Sequence, residues 1–115
     1  MPQITLEYTE GLQLDVRLTL LALNQALVDT GLFQPGDIKS RAVRREQWLT
    51  GLEAGTAPFV HLQLAILTGR DLPARQRLSA AILPVLQAQV NGPVGTQLCV
   101  EVREMDKDSY AKTIL

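Results

Sequence analysis

Residues 2–6 (PQITL) and 58–62 (PFVHL) each set a proline ahead of an apolar alternation, and each stretch is followed by helically spaced leucines. That repetition constrains the fold more than composition does, because two similar strand-helix units are expected to share a sheet around a pseudo-twofold axis. In the first unit, Ile4, Leu6 and Tyr8 alternate with Gln3, Thr5 and Glu7, the period of a strand with one buried face. From Gly11 to about Asp29 the period becomes helical, with Leu14, Leu18 and Leu21 on one stripe and Leu20, Leu23 and Leu27 beside it. Gly31 stands where a left-handed cap closes such a helix, and Pro35, Gly36 and Asp37 form a turn.

Residues 38–47 alternate weakly and predict a short edge strand bearing basic side chains. Over 58–68, Val60, Leu62, Leu64 and Ile66 make an apolar face, opposite a mixed face of Phe59, His61, Gln63, Ala65 and Leu67. Helices of the same chain can cover the first face. The second has no evident partner within so short a chain, which points to an oligomer. Asp71 is placed to cap a second helix with Pro73 in its first turn. Leu78, Ile82, Val85 and Leu86 give its stripe, and it ends at Asn91, Gly92 and Pro93. Pro84 removes the bond to the Ala80 carbonyl, so a kink is expected there. Leu98, Val100 and Val102 mark a last strand.

The order is strand, helix, short strand, strand, helix, strand. It predicts an α/β (α+β) fold: a mixed sheet with two helices packed on it, each strand-helix-strand a right-handed parallel crossover. A ferredoxin-like binding module has the same element order with an antiparallel sheet. Parallel pairing of strand one with the strand beyond helix one separates the two.

At 115 residues the chain suits one domain, 1–115, and its 46% apolar and 20% charged content is that of a folded globule. A net charge of −1 supplies no broad positive field for nucleic acid. Cys99 is the sole cysteine, which rules out an internal disulfide and a thiolate-rich zinc site. With no signal-peptide pattern and no apolar run of spanning length, a cytoplasmic protein free of the membrane is expected.

Pro2 directly after Met1, followed by two strand-helix units, resembles the tautomerase superfamily. Four segments, Thr30-Gly31-Leu32-Phe33, Ile38-Lys39-Ser40-Arg41, Phe59-Val60-His61-Leu62 and Gly69-Arg70-Asp71-Leu72 with Arg75-Gln76, resemble the 5-carboxymethyl-2-hydroxymuconate isomerases in order and spacing. The resemblance implies a homotrimer with sites near subunit boundaries. It also implies isomerisation of a conjugated enol acid from aromatic-compound breakdown, without metal or cofactor. Two features depart from that family: Lys39 stands where arginine is usual, and the chain after the last strand is shorter. A drifted, non-catalytic oligomer of the same fold is the alternative reading.

Shuttling a proton between an enol oxygen and a carbon needs a group with a pKa near 7. A free α-amino group, at about 7.7–8.0, lies closer to that target than a lysine at about 10.4. Pro2, exposed as the terminus by removal of Met1, is therefore the catalytic candidate. The plainer reading is a proline opening an edge strand, where a missing N–H costs nothing. Arg70, at a strand-to-helix junction where helix N–H groups point outward, is the candidate for binding a substrate carboxylate, against the reading of a surface arginine paired with Asp71. Lys39 and Arg41 share one face of the short strand, and either is a candidate for a second carboxylate. Lys39 lacks the planar bidentate grip of arginine. His61, the only histidine, reads as a buried, hydrogen-bonded packing residue, Cys99 as structural, and Trp48, Phe33 and Phe59 as core. The ligand expected is a small anionic unsaturated hydroxy or keto acid.

Overall fold

A computed structural model describes residues 1–52 and 56–115. Its elements are β1 (Gln3–Thr9), α1 (Val16–Asp29), β2 (Lys39–Arg45), β3 (Phe59–Leu67), α2 (Leu72–Gln89) and β4 (Gln97–Met105), with single 3-10 turns at Pro35–Asp37 and Lys107–Ser109. The strands form one sheet in the order β2-β1-β3-β4. β1 runs parallel to β2 and β3 parallel to β4, while β1 and β3 meet antiparallel with Leu6 opposite Leu62. The parallel β1–β2 pair excludes the ferredoxin-like alternative.

The two halves repeat down to single hydrogen bonds. Lys39 N–H donates to the Pro2 carbonyl at 3.1 Å, and Gln97 N–H donates to the Pro58 carbonyl at 3.3 Å. Asp15 caps α1 by accepting from Leu18 N–H, and Asp71 caps α2 by accepting from Ala74 N–H. The antiparallel β1–β3 contact is the seam where a pseudo-twofold axis relates the halves. It follows that Pro2 and Pro58 lie at opposite ends of the sheet.

Both helices cover the face carrying Ile4, Leu6, Val60, Leu62, Leu64 and Ile66, all of them buried. From α2 come Ala74, Leu78, Ile82 and Leu86, spaced by four and equally buried, as the stripe in the sequence requires. Burying each such leucine or isoleucine contributes about 1.5–3 kcal/mol, so this layer holds the sheet and helices together. In α1 the buried stripe is Thr19, Leu23 and Leu27, whereas Leu18 and Leu21 are exposed. The expected stripe of Leu14, Leu18 and Leu21 is thereby corrected: leucine on both sides of this helix makes two stripes available, and the sheet takes the one that includes Thr19. α2 runs unbroken through Pro84. Pro84 and Ala80 both lie on its exposed side, so the carbonyl freed by the proline faces water.

The other face is half-exposed and polar. Arg45 pairs with Glu7 at 2.9 Å, Arg41 donates to Gln3 and Thr5, and His61 Nε2 lies 3.3 Å from Glu101 Oε1. His61 is therefore a half-exposed partner of a carboxylate rather than a buried packing residue. It stands on the uncovered face, where alternation puts every odd-numbered residue of β3.

Candidate active site

Pro2 opens a central strand, not an edge one, and is buried. Its carbonyl is fixed by β2 through Lys39 N–H, so the first residues of β1 are held at one end of the sheet. Beside them is a cavity of about 390 Å³ lined by Met1, Leu32, Phe33, Asp37, Thr68 and Arg70, among others. The Met1 amine is held below its ordinary pKa of 8.0 because burial strips water from the ammonium. Asp37 opposes that shift, and Arg70, Lys112 and Lys39 add to it. Removing Met1 would place the terminal amine on Pro2, one residue along the same strand head.

Arg70 reaches the cavity from the β3–α2 junction. Gly69, at φ 126°, adopts backbone that a side chain disfavours, and so turns the chain sharply out of β3. Asp71 is committed to the helix cap, its carboxylate accepting from Ala74 N–H at 2.9 Å. Arg70 is thereby left without Asp71 as a partner, and none of the ion pairs among the described residues includes it. Its guanidinium donates to the Leu32 carbonyl at 3.2 Å and lies 5.0 Å from the centre of the Phe33 ring. Gly31, at φ 76°, closes α1 and delivers those two residues. The cation is thus braced by a ring and a carbonyl and, among the described residues, has no carboxylate partner.

Of the four residues singled out in the sequence, Arg70 lines the cavity, Pro2 directly follows its lining residue Met1, and Lys39, like Arg70, acts on the Met1 amine. The Lys39 ammonium donates back to the Gly36 carbonyl at 3.1 Å and the Asp37 carbonyl at 3.3 Å, stitching the turn that precedes it. Arg41 lies elsewhere, its guanidinium turned to Gln3 and Thr5 on the uncovered face of the sheet. Phe33 lines the cavity, where the sequence pattern had it as core. Asp37 and Lys112 were not foreseen. Asp37 reads in sequence only as a turn residue, and Lys112 lies in a tail without periodicity, so proximity in space is the sole signal for either.

A larger cavity, of about 820 Å³, surrounds Trp48 and Pro58 at the opposite end of the sheet. Its described lining carries Glu10 and Glu46 but no lysine or arginine, which suits an anion poorly. The smaller cavity carries Arg70 in its lining. Among the described residues no group of three or more His, Cys, Asp and Glu is placed to hold a metal ion, and no helix is long and apolar enough to cross a membrane.

Comparison with known proteins agrees with this geometry. A solved 5-carboxymethyl-2-hydroxymuconate isomerase from Deinococcus radiodurans R1 matches with a TM-score of 0.83 and 29% identity, over 97% of this chain and 88% of that one. Two further structures share the fold at lower identity. A 5-carboxymethyl-2-hydroxymuconate delta-isomerase has a TM-score of 0.74 at 18% identity, covering 99% of this chain and 88% of that one. A fused 4-OT described as a symmetric trimer has a TM-score of 0.75 at 16% identity, covering 96% and 90%. A comparison with curated proteins finds no match. The sequence profile of one family spans residues 2–114, almost the whole chain, and with the parallel-paired, twofold-repeated sheet it places this protein in the 5-carboxymethyl-2-hydroxymuconate isomerase family.

Proposed function

We propose that the form of this protein beginning at Pro2 is a cofactor-independent tautomerase acting on unsaturated 2-hydroxy (enol) carboxylic acids in aromatic-compound catabolism. Residues 1–115 act as one domain, assembled as a cytoplasmic homotrimer. The observation that carries the reading is the position of Pro2: buried, at the head of a central strand, and next to a cavity where Arg70 offers a guanidinium without a carboxylate partner.

Arg70 holds the substrate carboxylate, and the Pro2 nitrogen, neutral as a secondary amine, takes the proton from the 2-hydroxyl. The oxygen's electron pair forms the C2 carbonyl, the conjugated double bonds shift, and the proton returns from the prolinium to carbon. One group thus serves as base and then acid, which requires a pKa near the working pH. Desolvation and the surrounding cations favour that value. Lys39 contributes positive potential from the turn it braces.

The test compares mass-verified forms that begin at Pro2 and at Met1. In the longer form the proline nitrogen is an amide whose lone pair is delocalised, so it has no base strength. Ketonisation of 2-hydroxymuconate should be accelerated by the first form only. Equal activity in both would remove Pro2 from the mechanism.

A further inference from the structure

The two cations that the sequence offers for a second substrate carboxylate are both engaged, Lys39 with the carbonyls of Gly36 and Asp37 and Arg41 with Gln3 and Thr5. A third cation reaches the site from the far end of the chain. Beyond β4 the backbone is fastened to the β3–α2 junction: Thr68 N–H donates to the Met105 carbonyl at 2.9 Å, and Lys107 N–H donates to Thr68 Oγ1 at 3.2 Å. The tail then passes the head of β1. Lys112 Nζ lies 3.6 Å from Met1 Sδ and 3.7 Å from Asp37 Oδ1.

Both contacts are replaceable. A thioether is a weak acceptor, and Met1 is the residue whose removal the proposed chemistry requires. The Asp37 pair is long and open to water, with side chains 36% and 44% exposed, so it contributes little. It does show that the Lys112 ammonium can sit against a carboxylate at this edge of the cavity. Arg70 and Lys112 act on the same terminal amine from separate elements, one from the β3–α2 junction and one from the tail. Lys39 adds to the same positive potential, and Asp37 opposes it.

We propose that Lys112 is a substrate-binding residue carried by the C-terminal tail, gripping the far carboxylate of a dicarboxylate whose near carboxylate rests on Arg70. The inference deepens the reading of the cavity as an enol-acid site and rests on it for where the substrate lies. Lys112, not Lys39 or Arg41, then separates diacids from monoacids.

The test needs no turnover. trans,trans-Muconate and sorbate share the same six-carbon diene and differ by one carboxylate against a methyl group, and neither carries the 2-hydroxyl that would let it ketonise. Their binding to the processed protein is measured by calorimetry. The diacid should bind about tenfold or more tightly, since a lost charge partner in a partly desolvated site is worth at least that factor. Lys112→Ala and Lys112→Gln should reduce the preference to within about twofold, Lys112→Arg should keep it, and Arg70→Ala should weaken both acids. A preference that survives Lys112→Ala in a normally folded protein, or wild type that binds the two acids alike or not at all, would overturn the proposal. Inactivity of the processed protein on enol acids, with the diacid preference intact, would instead remove the Pro2 mechanism and leave the role of Lys112 standing.

Discussion

Replacing Arg70 with alanine separates a substrate-binding arginine from one that merely braces its neighbours. The bracing is small in free energy: an exposed hydrogen bond to the Leu32 carbonyl contributes about 0.5–1.5 kcal/mol and the cation–π contact with Phe33 about 0.5–1 kcal/mol. Because the contacts share one side chain, their joint loss should cost about 1–2 kcal/mol and lower Tm by roughly 5–10 °C in a chain of this length. Loss of a substrate carboxylate's partner in a partly desolvated site costs about 2–5 kcal/mol, which is about 30- to 5,000-fold in kcat/KM. Catalysis should therefore fall far more than stability. Arg70→Lys keeps the charge but not the planar fork or the stacking, and should fall between wild type and alanine. The assay follows ketonisation of 2-hydroxymuconate by ultraviolet absorbance, with thermal melts of the same samples. A folded Arg70→Ala protein within about threefold of wild-type kcat/KM would refute the argument, since even the low end of the expected loss is tenfold larger.

Assembly and His61 give two further checks. Phe59, His61, Gln63, Ala65 and Leu67 form a half-exposed face on β3, and sedimentation should find a particle of three times the 12.6 kDa chain; a stable monomer at micromolar concentration would contradict an assembly built on that face. His61→Ala removes a half-exposed pair with Glu101 outside the lining of the Arg70 cavity, so kcat/KM of the assembled protein should hold within about twofold, as measured by the absorbance assay. A large loss of activity would reassign His61 to the chemistry.

Features written in local pattern were legible in the sequence. The β3 alternation, the Asp71 cap, the Gly31 terminus and the α2 stripe all appear at the expected residues, because each is fixed by a period or by one backbone requirement. The repeat of PQITL in PFVHL carried more, since it foretold a twofold relation that the paired Pro2 and Pro58 hydrogen bonds display. Where local pattern was degenerate, the reading failed. α1 has leucines on two sides, and the buried stripe turned on Thr19, a polar residue that hydropathy alone places outside. His61 went astray because burial of β3's mixed face depends on a partner that alternation cannot reveal. For the proposed site, the sequence offered Pro2 and Arg70 through the chemistry of a terminal amine and a helix junction. Asp37 lines the cavity from a turn and Lys112 meets Asp37 and Met1 from the tail, and only the folded chain brings them together.

The central claim is that one nitrogen, that of Pro2, is the base. Its most direct test is the titration of Pro2 by nitrogen-15 NMR in protein whose mass confirms loss of Met1, set beside the pH dependence of kcat/KM. The pKa of the Met1 amine is lowered by burial, with Arg70, Lys112 and Lys39 adding to the shift and Asp37 opposing it; on the proposed reading the Pro2 amine, one residue along, meets the same groups, so its pKa should lie below that of an unfolded Pro-Gln peptide. On the proposed mechanism activity belongs to the neutral form, so kcat/KM should rise with pH through that same pKa and level off above it. Coincident midpoints, both displaced downward, are the predicted result. A Pro2 nitrogen that titrates where kcat/KM is flat, or a kcat/KM inflection where Pro2 does not titrate, would contradict the account.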